Sequence, residues 1–219
     1  MSMGLVLRSA LTAGAKELPL LGYAYNLISE YQNSKVEYFI EEFEKELISQ
    51  ENIPEAMKMD YFHNAYVTLS IITKIRQLER IQIFAKIFAA YTNCINTSGD
   101  LTELHDDYEE YAYILESLTI REFTLLNILY KYEIKENIKL DCKNILQSVI
   151  PYWGDFLNEV TSTLNMDMYN VNGMLSKLNG TGLYQTIHGG YMGYTGNKGH
   201  LTPLCYKIIE FITNNCKKV

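Results

Sequence analysis

Apolar side chains recur every three to four positions through most of this chain, which is the spacing of helices that bury one face. The pattern is most regular between residues 79 and 95, where it predicts a helix packed against antiparallel neighbours. Its apolar positions are Ile81, Phe84, Phe88, Tyr91 and Ile95. Similar periods predict further helices that begin at Pro19, at Ser34 and after Pro54. The first hundred residues therefore have the pattern of a helical bundle.

Two of these helices have apolar positions that we expect to face the core. In the helix that begins at Ser34 they are Val36, Ile40, Phe43 and Leu47. In the helix that ends near Arg76 they are Met59, Phe62, Tyr66, Leu69 and Ile72. Ser34 and Glu37 also have the spacing of a capping box, in which each side chain bonds a free backbone N–H of the first turn.

The clearest interruption is the polar stretch Asn96–Leu101, and we place the domain boundary beside it. Residues 1–104 form the predicted helical domain and residues 105–219 form a second domain. The second domain is expected to open with a helix from Asp106 to about Ser117, followed by a capping box at Thr119 and Glu122. Residues 136–151 show no clear period and are expected to be irregular or a short helix. A helix from Asp155 to Leu164 follows.

The last quarter of the chain predicts a helix, a hairpin and a closing helix. The first helix spans Met168 to Leu178 and is followed by Gly180 and Gly182, either of which can adopt the positive φ of a helix end. A strand is expected from Leu183 to His188, then a glycine-rich tip over residues 189–199, and a last helix from Pro203. This order is typical of a winged helix. The predicted fold is mainly α, an N-terminal helical bundle followed by a winged-helix-like α+β domain with a small β-hairpin.

Charge is divided unevenly between the two halves. Residues 1–120 carry 9 Lys or Arg against 18 Asp or Glu, whereas residues 121–219 carry 10 against 8. The first half should repel nucleic acid and the second is only weakly basic. No uncharged apolar run reaches the ~20 residues of a membrane span, and no basic segment precedes an apolar one as in a secretory signal. With four scattered cysteines and no CxxC pair, we expect no disulfide framework and a cytoplasmic location.

One pattern suggests an enzyme. His63, His105 and Asp106 follow the order of metal ligands in a helical phosphohydrolase, but Asp106 also suits the first turn of a helix, where acids stabilise free N–H groups. Cys205 falls within an apolar helix, where a thiol acts as a small hydrophobic group. The glycine-rich tip lacks the GK[ST] ending of a phosphate-binding loop. We therefore expect no catalytic residues, no metal and no cofactor.

Contact with a partner is the favoured use of the last quarter. The residues that could make that contact are Asn170, Asn172, Ser176, Lys177, Tyr191, Tyr194, Lys198 and His200. A DNA reader needs Arg or Lys for phosphates, yet this set contains two lysines and no arginine follows Arg121. A protein partner is therefore favoured, and a DNA-binding regulator that Lys177→Glu would damage is the alternative. A further alternative is a membrane-disrupting effector that uses the apolar segment from Met3 to Ile28, which could instead be buried or form an oligomer contact.

Four segments together resemble one bacterial protein family. They are LERIQIFAKIFAAYTN, HDDYEEYAYILESLTIREFTLLNILY, LSKLNGTGLYQ and LTPLCYKIIEFI. The chain is similar to the abortive-infection alpha family, whose members have a helical body and a winged-helix-like end. A glycine commonly follows the family's LT-x-x pattern, whereas this chain has Cys205 there. The resemblance implies a role in defence against phage through a protein partner or a phage product. It also implies membrane association only after activation, and it supplies no catalytic residues.

Overall fold

The computed structural model describes residues 30–47, 58–95, 102–136, 145–187 and 198–214. These residues are 84% helical, with eight helices and one two-stranded antiparallel sheet, which confirms the mainly α class. They belong to two compact units, unit 1 (Met1–Ser117 and Glu210–Val219) and unit 2 (Leu118–Ile209). The apolar segment from Met3 to Ile28 and the helix predicted at Pro19 lie outside the described residues.

Unit 1 contains four helices in the described part of the chain. They are α1 (Glu30–Glu46), α2 (Lys58–Lys74), α3 (Leu78–Ile95) and α4 (Thr102–Glu116). Helices α2 and α4 run in the same direction, because Asp60 faces His105 near their starts and Lys74 faces Glu116 near their ends. Lys35 in α1 donates to the carbonyl of Thr73 at the end of α2, so those two helices are antiparallel. Unit 1 is therefore a helical bundle in which α2 is antiparallel to α1 and parallel to α4.

The core of unit 1 is built from aromatic rings around Phe88 of α3, which is fully buried. Its ring centroid lies 5.2 to 6.1 Å from those of five others. These are the rings of Phe39, Phe43, Tyr61, Tyr91 and Tyr108. All five apolar positions predicted for α3 are buried, as are those of α1 except the intermediate Leu47.

Three predictions for unit 1 were wrong in whole or in part. On the predicted apolar face of α2, Leu69 and Ile72 are buried as expected, whereas Met59 is 69% exposed and the polar residues Asn64 and Thr68 are buried. Ser34 lies inside α1, which already includes Glu30, so it cannot cap that helix. Helix α4 begins at Thr102, whereas the sequence predicted its start at Asp106.

Over its described residues, unit 2 contains three complete helices and the sheet. They are α5 (Ile120–Lys135), α6 (Ile145–Leu164), α7 (Met168–Gly180), β1 (Tyr184–Thr186) and β2 (Gly199–Leu201). The last helix, α8 (Pro203–Asn214), begins in unit 2 and ends in unit 1. Helix α6 corrects the prediction that residues 136–151 are irregular or a short helix, because it begins at Ile145 and continues through Pro151. Proline inside a helix costs about 3 kcal/mol, because it removes one backbone donor and its ring clashes with the preceding turn. The buried apolar side chains of α6 offset this cost.

A tight junction connects α7 to the sheet. Gly182 adopts a φ of +77°, a conformation that is costly for residues with a Cβ. Strand β1 then pairs with β2 so that Tyr184 lies opposite Leu201. A Cβ at Gly199 would collide with the carbonyl oxygen of Gln185 and the ring of Tyr184, so the hairpin requires glycine there.

Two further expectations concern the membrane and the cysteines. None of the helices in the described ranges is both long enough and apolar enough to cross a bilayer. Cys205 is a free, buried thiol. Cys94 is disulfide-bonded, which the scattered spacing of the cysteines did not predict.

Candidate interaction face

One side of helix α7 is buried, and the other side is exposed to solvent. Asp167 caps the N-terminus of α7, because its side-chain Oδ1 accepts a 2.8 Å hydrogen bond from the backbone N–H of Asn170. Val171, Leu175 and Leu178 are the buried residues of the helix and follow one another at helical spacing. The exposed positions on the opposite side can therefore form a contact surface.

The outward side of α7 carries no formal charge between its first turn and Ser176. Tyr169 is 87% exposed. Three further residues of the helix, Asn170, Gly173 and Ser176, are also exposed. We call these four residues the α7 face. Three of the predicted contact residues, Asn170, Asn172 and Ser176, lie on α7 as expected, with Asn172 half-buried. Tyr169 was not predicted, although a tyrosine at a polar position of the helical period is a signal of exposed aromatic surface.

Lys177 does not stand free at the end of this face. Its Nζ lies 2.9 Å from both carboxylate oxygens of Glu122 in α5, and the Glu122 side chain is only 4% exposed. The same carboxylate accepts a 2.7 Å bond from the backbone N–H of Thr119, while the Thr119 hydroxyl accepts from the N–H of Glu122. This is the predicted capping box. The expectation that Lys177 is an available phosphate contact is therefore wrong, because its charge is used to connect α7 to α5.

Lys177→Gln should lower the free energy of unfolding of unit 2 by about 1 kcal/mol, because the buried Glu122 carboxylate loses its cation but keeps its capping bonds. Urea unfolding followed by the fluorescence of Trp153, the single tryptophan of the chain, measures this change in unit 2. The matched control is the exposed neighbour Ser176→Ala, which should change stability by less than about 0.5 kcal/mol. Equal stability of Lys177→Gln and wild type would contradict the assignment.

The predicted contact residues outside α7 differ in how deeply they are buried. His200 in β2 is 7% exposed, its Nδ1 donates to the Leu201 carbonyl at 2.8 Å, and burial lowers the pKa of its ring. It is therefore a core residue and cannot meet a phosphate from the surface. Lys198 is half-buried, and its backbone carbonyl accepts a 2.8 Å bond from the N–H of Ile187. Tyr191 and Tyr194 lie outside the described residues.

Glu133 of α5 is the functional-site residue that sequence reasoning missed. It is 1% exposed, and its carboxylate accepts hydrogen bonds from the backbone N–H of Leu201 in β2 at 2.9 Å and from the Tyr206 hydroxyl in α8 at 2.6 Å. One carboxylate thus joins three elements of unit 2. A sequence signal exists, because Glu133 follows the buried Leu126 and Leu129 at helical spacing and so occupies a core position.

The surroundings of Glu133 are apolar or phenolic. Burial raises the pKa of Glu133 to about 7 against the opposing effect of its hydrogen bonds. Burial, with the Glu133 charge nearby, also raises the pKa of the Cys205 thiol to about 12, so this cysteine is no nucleophile at neutral pH. Because no described cation pairs with it, Glu133 acts as a buried connector of the hairpin and α8 rather than as part of an ion pair.

The two histidines of the metal-site alternative lie in unit 1, and each faces a different acidic side chain. His63 Nε2 lies 3.6 Å from Glu109, and His105 Nε2 lies 3.6 Å from Asp60. The other ring nitrogen of His105 shares a 2.5 Å hydrogen bond with the Tyr91 hydroxyl. Among the described residues, no three His, Cys, Asp or Glu side chains are grouped to hold a metal ion. His105 lies inside α4 and not in the loop that the sequence predicted.

Three comparisons with known proteins found no counterpart of this chain, since no family model, no curated protein and no solved structure matches it.

Proposed function

We propose that this chain is a non-enzymatic interaction protein of the abortive-infection type, which binds a protein partner through the α7 face. Its sequence resemblance is one support. The order of α5, α6, α7, β1 and β2 is another, because three helices followed by a two-stranded hairpin is the arrangement of a winged helix. In that arrangement α7 is the helix that meets the ligand.

The observation that carries the proposal is the exposed, uncharged surface around Tyr169. Tyrosine and methionine are enriched at protein interfaces, whereas lysine and glutamate are depleted there. Tyr169 and the adjacent Met168 are 87% and 41% exposed, and no other large hydrophobic side chain of the described α7 residues is so exposed. Exposed aromatic side chains of this kind are typical binding hot spots.

The same surface is poorly suited to duplex DNA. Phosphate contacts need free cations, because the release of counterions supplies most of the affinity. Lys177 is bound to Glu122, and Asp167 places a negative charge at the end of α7 that would enter a groove first. Since His200 is buried as well, these residues offer little to a phosphate backbone. We therefore infer a host protein or a phage product as the partner.

A photo-crosslinking amino acid at position 169 tests this proposal in phage-infected cells. We expect one discrete protein adduct that forms on infection, identified by mass spectrometry. The same crosslinker at Ser162, an exposed position of α6, is the matched control and should give no such adduct. Adducts to DNA, or the same adduct from both positions, would refute the proposal.

Tyr169→Ala should weaken binding of the crosslinked partner by about 10- to 100-fold, the usual loss when an aromatic hot spot is removed. Because the side chain is exposed, the free energy of unfolding should change by less than about 0.5 kcal/mol. Calorimetry with the purified partner and protection of cells in a plaque assay measure the effect. Tyr113→Ala, at an exposed tyrosine of α4, should leave both unchanged.

A further inference from the structure

A small groove lies between α5 and α6 on the surface of unit 2. Its volume is about 220 Å³, and it is lined by Lys131, Tyr132, Lys135 and Glu159. Tyr132 is held in place in this lining, because its ring stacks on buried Tyr152 at 5.8 Å and its hydroxyl donates to Glu159 at 2.9 Å. The groove therefore has one fixed wall and two long, exposed lysines beside it.

The two lysines are not neutralised within the described part of the chain. Lys131 and Lys135 stand one helical turn apart, where like charges destabilise a helix, and neither has a hydrogen-bond or ion-pair partner among the described residues. Lys45, Lys74, Lys86 and Lys177, in contrast, each pair with a glutamate. The helix dipole favours a cation at Lys135 in the last turn, but Lys131 lies a turn earlier.

We propose that this groove binds a small phosphorylated molecule that also carries a hydroxyl group. Two lysines balance the charge of a phosphate monoester, and lysine is a common point-charge ligand of phosphate. The Glu159 carboxylate already accepts a bond from the Tyr132 hydroxyl and has further lone pairs that can accept from a hydroxyl of the ligand. A polyanionic backbone fits less well, because the Glu159 carboxylate would repel a phosphate that passed along the groove.

Titration calorimetry with inorganic phosphate, with glycerol 3-phosphate and with a short DNA duplex tests the proposal on the full chain. Glycerol 3-phosphate should bind more tightly than inorganic phosphate, because only it has alcohol hydroxyls that can donate to Glu159 while its phosphate contacts the lysines. The double variant Lys131→Gln with Lys135→Gln should weaken it by about tenfold or more. Lys207→Gln, at an exposed lysine of α8, is the matched control and should bind like wild type.

Both substituted lysines are exposed, so the double variant should unfold at the same urea concentration as wild type. Tighter binding of glycerol 3-phosphate that the double variant loses supports the proposal. Absence of saturable binding at millimolar concentrations, equal affinity for the two phosphates, or unchanged affinity in the double variant would overturn it. Salt-dependent duplex binding that exceeds both phosphates and depends on these lysines would overturn it in favour of a nucleic-acid site.

Discussion

Phe88→Ala should lower the free energy of unfolding of unit 1 by about 4 kcal/mol, which is the usual cost of truncating a fully buried phenylalanine. Phe88 is 0% exposed and contacts aromatic rings from α1, α2, α3 and α4, so the variant leaves a cavity that no single helix can fill. Hydrogen exchange of the α3 amides, read by mass spectrometry, measures the loss.

Phe62→Ala is the matched control for this change. Phe62 lies on α2, is only half-buried, and meets the edge of the Tyr61 ring at 6.2 Å. Its truncation should cost about 1 kcal/mol, in the range of ordinary substitutions. Similar losses from the two variants would mean that the core of unit 1 is not centred on Phe88.

Glu133→Gln should abolish a pH dependence of stability in unit 2. Burial raises the pKa of Glu133 from 4.5 to about 7, so between these pH values the folded chain retains a proton that the unfolded chain releases. Stability must then fall as pH rises through this window, by on the order of 3 kcal/mol, and stay level above it. Glutamine cannot ionise, so the stability of the variant lacks this slope, although its amide has a single acceptor oxygen where the carboxylate uses both.

Urea unfolding between pH 4.5 and pH 8, followed by Trp153 fluorescence, measures the slope, because Trp153 is buried against Phe156 in the same unit. Glu136→Gln, at the exposed end of α5, is the control and should keep the wild-type slope. Parallel curves for Glu133→Gln and wild type would show that Glu133 is ionised equally in both states.

Regular apolar periods predicted the fold wherever the buried face of a helix is itself apolar. Helix α3 is the clearest case, since all five expected positions are buried. The buried face of helix α2 was predicted less well, because Asn64 and Thr68 lie on its buried side and shift the apparent period. Helix α6 was shortened in the prediction because residues 136–151 show no clear apolar period, whereas the helix begins at Ile145 and continues through Pro151.

The candidate site was less predictable, because its key contacts join residues that are distant in the chain. Glu133 bonds to Leu201 and Tyr206, 68 and 73 residues away, and Lys177 meets Glu122 at a separation of 55. A contact between residues this far apart produces no periodic pattern in the sequence, so its partner cannot be predicted from spacing. The sequence correctly located α7, but it could not distinguish a lysine bound to a buried glutamate from one that is free.

The division of the chain has a consequence for how the protein is made. Unit 2 is one continuous stretch, Leu118–Ile209, whereas unit 1 also includes Glu210–Val219. Domains usually fold in order from the N-terminus as the chain leaves the ribosome. Here the nascent chain must complete the inserted unit before the older one receives its final residues. The helices of Met1–Ser117 therefore lack the last residues of their unit until all of unit 2 has been synthesised. The order of translation thus favours completion of unit 2 before unit 1.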